Sequence, residues 1–105
     1  MNNKTQYIGQ LIRATVNSVD KSAEVILYGS RARGDERTDS DWDILILTDY
    51  PADLTTEQQF RDRLYDLELE TGEAFSVFVY SKNKWTTKQR ITPFYQNVNQ
   101  EGIHL

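Results

Sequence analysis

The chain has 105 residues, 38% of them apolar and 27% charged, which is enough for one globular domain over 1–105 but not for two cores. The formal net charge of −4 argues against extended binding of nucleic acid, and the absence of cysteine excludes disulfides and thiolate metal sites. No apolar run is long enough to span a bilayer, so no membrane association is predicted. The start MNNKTQ lacks the pattern of a secretory signal, so we expect a cytoplasmic location.

The first half of the chain predicts a helix followed by two strands. Apolar residues recur at helical spacing over 5–19, which predicts an amphipathic helix. β-Branched and aromatic residues over 24–28 predict a buried strand. A short helix is expected over 31–34, with Ser30 as its N-cap. The segment 43–47 is apolar almost throughout, which is typical of a central strand.

The second half predicts a further helix and strand. The helix is expected over about 56–71, with Thr55 and Gln58 as a capping box and Gly72 as its C-terminal stop. A third strand is expected over 74–80, where apolar residues alternate with other residues.

The C-terminal segment predicts a short helix. Thr92 and Pro93 resemble an N-cap and first helical residue, and Gly102 would end that helix. Residues 103–105 would add an edge strand or lie along the surface. The expected fold class is therefore α/β (α+β), with a small mixed sheet of three to four strands and helices packed mainly on one face.

Two groups of polar residues at strand ends indicate chemistry. Asp41 and Asp43 are two positions apart, so in a strand their carboxylates share a face. Such close like charges repel unless a cation lies between them, and Mg²⁺ prefers oxygen ligands. Gly29 permits close approach of a ligand, and Ser30 precedes a helix N-terminus that suits a phosphate. Together they indicate transfer of a nucleotidyl or phosphoryl group.

Each group also has a simpler interpretation. The acids could be exposed at a strand start, and the Gly-Ser pair could be only a turn with a helix cap. Of Arg31 and Arg33, one could contact phosphate while the other pairs with Asp35 or Asp39 at the surface. His104, the sole histidine, is expected at the surface rather than in catalysis.

The stretch GSRARGDERTDSDWDILI resembles the signature of the minimal nucleotidyltransferase group in the DNA polymerase β-like nucleotidyltransferase superfamily. The signature joins a Gly-Ser pair, a gap of ten residues and an Asp-x-Asp pair. The resemblance covers nearly the whole chain and implies a nucleotidyltransferase-like domain that uses Mg²⁺, with room for a two-metal site, and an NTP such as ATP. It implies metal binding and catalysis by Asp41 and Asp43, and nucleotide binding by Gly29, Ser30, Arg31 and Arg33.

The resemblance also implies an activity and a partner. Related proteins transfer AMP or another nucleotidyl group from an NTP to a hydroxyl, and small members are often paired with a helical HEPN-type protein in toxin–antitoxin arrangements. A protein partner of that type is therefore expected, and assembly as a homo-oligomer stays open.

The chain departs from this pattern on the third strand. Active relatives usually carry a further carboxylate there, whereas Ser76 occupies the aligned position. A serine hydroxyl is neither a comparable metal ligand nor a base at neutral pH. Glu73 at the start of the strand is the alternative acid, although in a strand its side chain would point to the opposite face from that of Ser76.

Three functions remain open at this point. The first is an active nucleotidyltransferase, and the second is a catalytically impaired nucleotide- and partner-binding module of antitoxin type. The third is nucleotidylation of an antibiotic or small metabolite. It has less support, because larger relatives with this activity carry an additional acceptor-binding domain.

Overall fold

Four strands form one mixed sheet in the computed structural model, which describes residues 2–105. The strands are β1 (Glu24–Tyr28), β2 (Trp42–Thr48), β3 (Phe75–Ser81) and β4 (Ile103–His104). Their spatial order is β3-β2-β1-β4; β1 is antiparallel to β2 and β4, and β2 is parallel to β3. The predicted fold class is confirmed, and the C-terminal segment supplies the fourth strand.

Five helices connect and cover these strands over residues 2–105. They are α1 (Asn3–Val19), α2 (Ser30–Arg33), α3 (Leu54–Thr71), α4 (Lys82–Thr87) and α5 (Pro93–Glu101). None of these helices is long and apolar enough to cross a membrane.

The larger core lies between the sheet and the two long helices. Because side chains alternate along a strand, Trp42, Ile44 and Ile46 of β2 face the same side of the sheet. They pack in one buried cluster with Ile12 of α1 and Phe60 of α3, and all five side chains are fully buried. This packing fixes the start of β2, where the acidic pair lies.

A smaller apolar cluster covers part of the opposite face. Leu45 and Leu47 of β2 pack there with Trp85 of α4 and Val98 of α5. The sequence did not predict α4, which is only six residues long. The Ser81 side chain caps it by accepting a hydrogen bond from the backbone N–H of Lys84 at 3.1 Å.

Two predicted helix starts are wrong. Ser30 is the first residue of α2 rather than its N-cap, because the cap position is taken by Gly29 in a conformation with positive φ. The predicted capping box of Thr55 and Gln58 does not form. Instead, the Asp53 carboxylate accepts from the N–H of Thr56 at 2.8 Å and starts α3 two residues earlier than predicted.

Other predicted ends are confirmed. Gly72 ends α3, Thr92 caps α5 by accepting from the N–H of Tyr95, and β4 pairs with β1 at the sheet edge. The first helix begins at Asn3 because the Asn2 side chain accepts from the N–H of Thr5.

Candidate active site

The turn between β1 and α2 requires glycine for two reasons. Gly29 has φ 76° and ψ −159°, a backbone conformation that residues with a Cβ rarely adopt. A Cβ at this position would lie 2.1 Å from Oδ2 of Asp43. The backbone of the turn and the carboxylate of Asp43 are therefore packed directly against each other.

Asp43 is held at this turn by the sheet. It pairs with Tyr28 on the antiparallel strand β1 and with Ser76 on the parallel strand β3. Burial raises the pKa of the half-buried Asp43 carboxyl, Asp41 raises it further, and Arg33 opposes both. The charged form of a carboxylate in such surroundings is stabilised by a nearby cation.

Asp41 lies just before β2 and is exposed. The strand begins at the next residue, where the N–H of Trp42 donates to the carbonyl of Ala74 at 2.8 Å. Among residues 2–105, no group of three or more acidic, histidine or cysteine side chains is arranged to hold a metal ion alone. The two carboxylates nevertheless fit Mg²⁺, which commonly takes one or two carboxylates and completes its shell with water and phosphate oxygens.

Arg31 supports the loop that leads to Asp41. Its side chain is only 4% exposed, and its guanidinium donates to the carbonyls of Ser40 at 3.0 Å and Thr38 at 3.3 Å. The guanidinium also lies over the ring of Trp42, 4.5 Å from the centroid, which adds a cation–π contact. The sequence predicted Arg31 as a nucleotide contact, whereas the structure directs its donors to the loop backbone.

Glu73 precedes β3, and its side chain contacts Trp42, which faces the opposite side of the sheet from Asp43. Its carboxylate pairs with Lys4 at 2.7 Å and accepts from the indole N–H of Trp42 at 3.2 Å. Burial alone would raise the pKa of Glu73, but Lys4 and Trp42 outweigh burial and lower it. The structure therefore does not bring Glu73 to the acidic pair as a third acid.

Ser76 lies on β3. It is the direct neighbour of Asp43 across β2 and β3, so both side chains share one face of the sheet. The position beside Asp43 on the neighbouring strand thus carries a neutral hydroxyl.

Arg33 and Glu101 complete the surroundings of the turn. The guanidinium of Arg33 pairs with Glu101 at 2.8 Å and with Asp35 at 3.1 Å. The backbone N–H of Gly29 donates to the other carboxylate oxygen of Glu101 at 3.2 Å. Sequence reasoning missed Glu101, which is 72 positions from Gly29 and belongs to no local motif.

The sequence-predicted residues thus divide into two groups. Gly29, Ser30, Arg33 and Asp43 meet at the turn, and Asp41 stands at its edge. The buried Arg31 lies behind them and contacts the loop backbone. The arrangement joins a glycine turn, whose backbone N–H holds the carboxylate of Glu101, to a pair of carboxylates that suits a cation.

Comparison with known proteins identifies a sequence family and a shared fold. The sequence model of the family described as "Polymerase beta, Nucleotidyltransferase" matches residues 10–97, which include the whole turn and acidic pair. A search of curated proteins finds no match.

Three solved structures share the fold. A toxin–antitoxin structure with AMP-PNP aligns with a TM-score of 0.59 at 15% identity, over 88% of this chain and 70% of that one. A candidate nucleotidyltransferase aligns with a TM-score of 0.54 at 19% identity, over 91% and 95% of the two chains. A third, a candidate nucleotidyltransferase from Sulfolobus solfataricus, gives 0.50 at 24% identity, over 95% and 80%.

Replacing Gly29 by alanine tests the packing of the turn against Asp43. Gly34 is the matched control, because it also has a positive φ (84°) but an added Cβ there meets nothing within 4 Å. We expect Gly34→Ala to lower the free energy of unfolding by roughly 1 kcal/mol. Gly29→Ala should cost at least about 1 kcal/mol more, since Asp43 must move as well. Equal losses in urea denaturation would contradict the contact.

Proposed function

The chain belongs to the polymerase beta nucleotidyltransferase family, and we propose that it is a Mg²⁺-dependent enzyme that transfers AMP from ATP to a hydroxyl acceptor. The observation that carries the proposal is the packing of the Asp43 carboxylate against the Gly29 turn. In this proposal the turn receives a phosphate and the adjacent carboxylate receives a cation. An NTP·Mg²⁺ complex needs both sites together.

In this proposal, Asp41 and Asp43 hold the ion. Their carboxylates supply hard oxygen ligands, and phosphate oxygens and water supply the rest. Bound there, Mg²⁺ supplies positive charge that stabilises an in-line displacement at phosphorus. A second ion would need further oxygen ligands from the substrate or from a partner.

The nucleotide would lie along the turn. Gly29 lets a phosphate approach the backbone closely, and the Ser30 hydroxyl is at the first position of α2. The exposed Arg33 side chain would add a charged donor to the phosphates. Arg31 acts as a positioning residue instead, because its guanidinium is bound to the loop that carries Asp41.

The reaction is a displacement at the α-phosphorus. The acceptor oxygen forms a bond to that phosphorus, the bond to the pyrophosphate oxygen breaks, and pyrophosphate leaves with the electron pair. The acceptor proton must pass to a base. Ser76, beside Asp43, cannot serve as that base at neutral pH, so a partner or the acceptor itself would supply it.

Ser76 also favours a second candidate function. A chain that binds nucleotide but cannot activate the acceptor would act as a catalytically impaired module of antitoxin type. The fold neighbour solved as a toxin–antitoxin structure with AMP-PNP supports testing both an ATP analogue and a protein partner. We propose a small helical partner of HEPN type for either function.

Binding of ATP with Mg²⁺ tests the leading proposal. Asp41→Asn and Asp43→Asn keep side-chain shape but remove the charge that holds the ion, so each should weaken binding roughly tenfold or more in calorimetric titration. Asp39→Asn is the matched control, because Asp39 is an exposed acid of the same loop, and it should bind as the native protein does. The proposal is contradicted if the native protein does not bind ATP with Mg²⁺, or if neither aspartate substitution changes the affinity.

Ser76→Asp distinguishes the enzyme from the impaired module. With α-labelled ATP, we expect this variant to transfer label onto co-purifying protein faster than the native chain, because it adds a carboxylate beside Asp43. Ser76→Asn provides a control of similar size without charge and should show no gain. If the native chain already transfers label as fast as Ser76→Asp, the position does not limit catalysis and the impaired module is excluded.

A further inference from the structure

Both carboxylate oxygens of Glu101 are bound to groups that suit a phosphate. One oxygen accepts the backbone N–H of Gly29 at 3.2 Å, and the other pairs with the guanidinium of Arg33 at 2.8 Å. Only 20% of the Glu101 side chain is exposed. Phosphate oxygens in proteins are commonly bound by backbone N–H groups at glycine turns and by arginine guanidinium groups.

Glu101 adds a negative charge beside the acidic pair. Glu101 lies close enough to Asp43 to raise the pKa of that residue, and Asp41 acts on Asp43 in the same direction. These three negative side chains lie at the turn, and Arg33, which also pairs with Asp35, counters both Glu101 and Asp43. A group with more charge and more acceptor oxygens than a carboxylate would compete well for the same donors.

We propose that Glu101 is an internal occupant of the phosphate site and that the triphosphate of an incoming nucleotide displaces it from Gly29 and Arg33. The inference rests on the proposed function, because it concerns the same turn. It assigns Glu101 a role in setting nucleotide affinity by competing with phosphate for the same donors.

Displacement would involve the side chain and not the helix. The backbone after Glu101 is fixed, because the N–H of Gly102 donates to Val98 at 2.7 Å and the N–H of Leu105 donates to the carbonyl of Val25 at 2.9 Å. A Cβ at Gly102 would lie 2.8 Å from a methyl of Ile26, so the chain has no room to shift there. The exposed Arg33 side chain can rotate to contact the triphosphate while the Glu101 side chain rotates into solvent.

Glu101→Gln tests the displacement directly. The amide keeps the size of the side chain but removes the charge that pairs with Arg33 and repels a triphosphate. We expect this variant, and Glu101→Ala, to bind both ATP with Mg²⁺ and inorganic tripolyphosphate about fivefold or more tightly than the native chain. Glu70→Gln makes the same charge change at an exposed position on α3 and should leave both affinities unchanged.

The two ligands separate this inference from the proposed function. Tighter tripolyphosphate binding by Glu101→Gln supports displacement even if ATP with Mg²⁺ fails to bind, which would overturn only the transferase proposal. Equal or weaker binding of tripolyphosphate by both Glu101 variants, with thermal unfolding showing that they are folded, overturns the displacement. If neither native nor variant protein binds tripolyphosphate, the turn is not an anion site and the inference fails.

Discussion

The packing of the Asp43 carboxylate against the backbone of Gly29 is the contact on which the site depends. It joins two strands whose positions are fixed independently. β1 lies between β2 and β4, and the start of β2 is fixed by the buried Trp42. The absence of a side chain at Gly29 lets a carboxylate approach a turn that a larger residue would close. The glycine turn and the acidic pair are adjacent for this reason.

Charge is distributed around that contact in an unequal way. Asp41, Asp43 and Glu101 are acidic, whereas Arg33 is the cation that faces them. Arg31 is equally charged but lies buried behind the loop, where backbone carbonyls and the ring of Trp42 satisfy it. Surplus negative charge of this kind favours the binding of a divalent cation, so we propose that a triphosphate binds together with Mg²⁺ rather than alone.

How far the sequence predicts this site depends on how local each interaction is. Gly29 and the acidic pair were predicted because strand periodicity and turn chemistry act over a few residues. The burial of Arg31 depends on the ring of Trp42 and on loop carbonyls, which no spacing rule reveals. Glu101 reaches the turn only because β4 pairs with β1 and brings the end of α5 beside Gly29. Long-range pairing of that kind leaves no signature in the motif itself.

The most direct test of the central claim is the response of the Gly29 backbone to nucleotide. In a ¹⁵N-labelled sample, a non-hydrolysable ATP analogue added with Mg²⁺ should shift the amide signals of Gly29 and Ser30. The amide of Gly9, which lies on α1 and packs near Leu105, should stay in place. A Gly29 signal that does not move at saturating analogue would contradict a phosphate site at this turn.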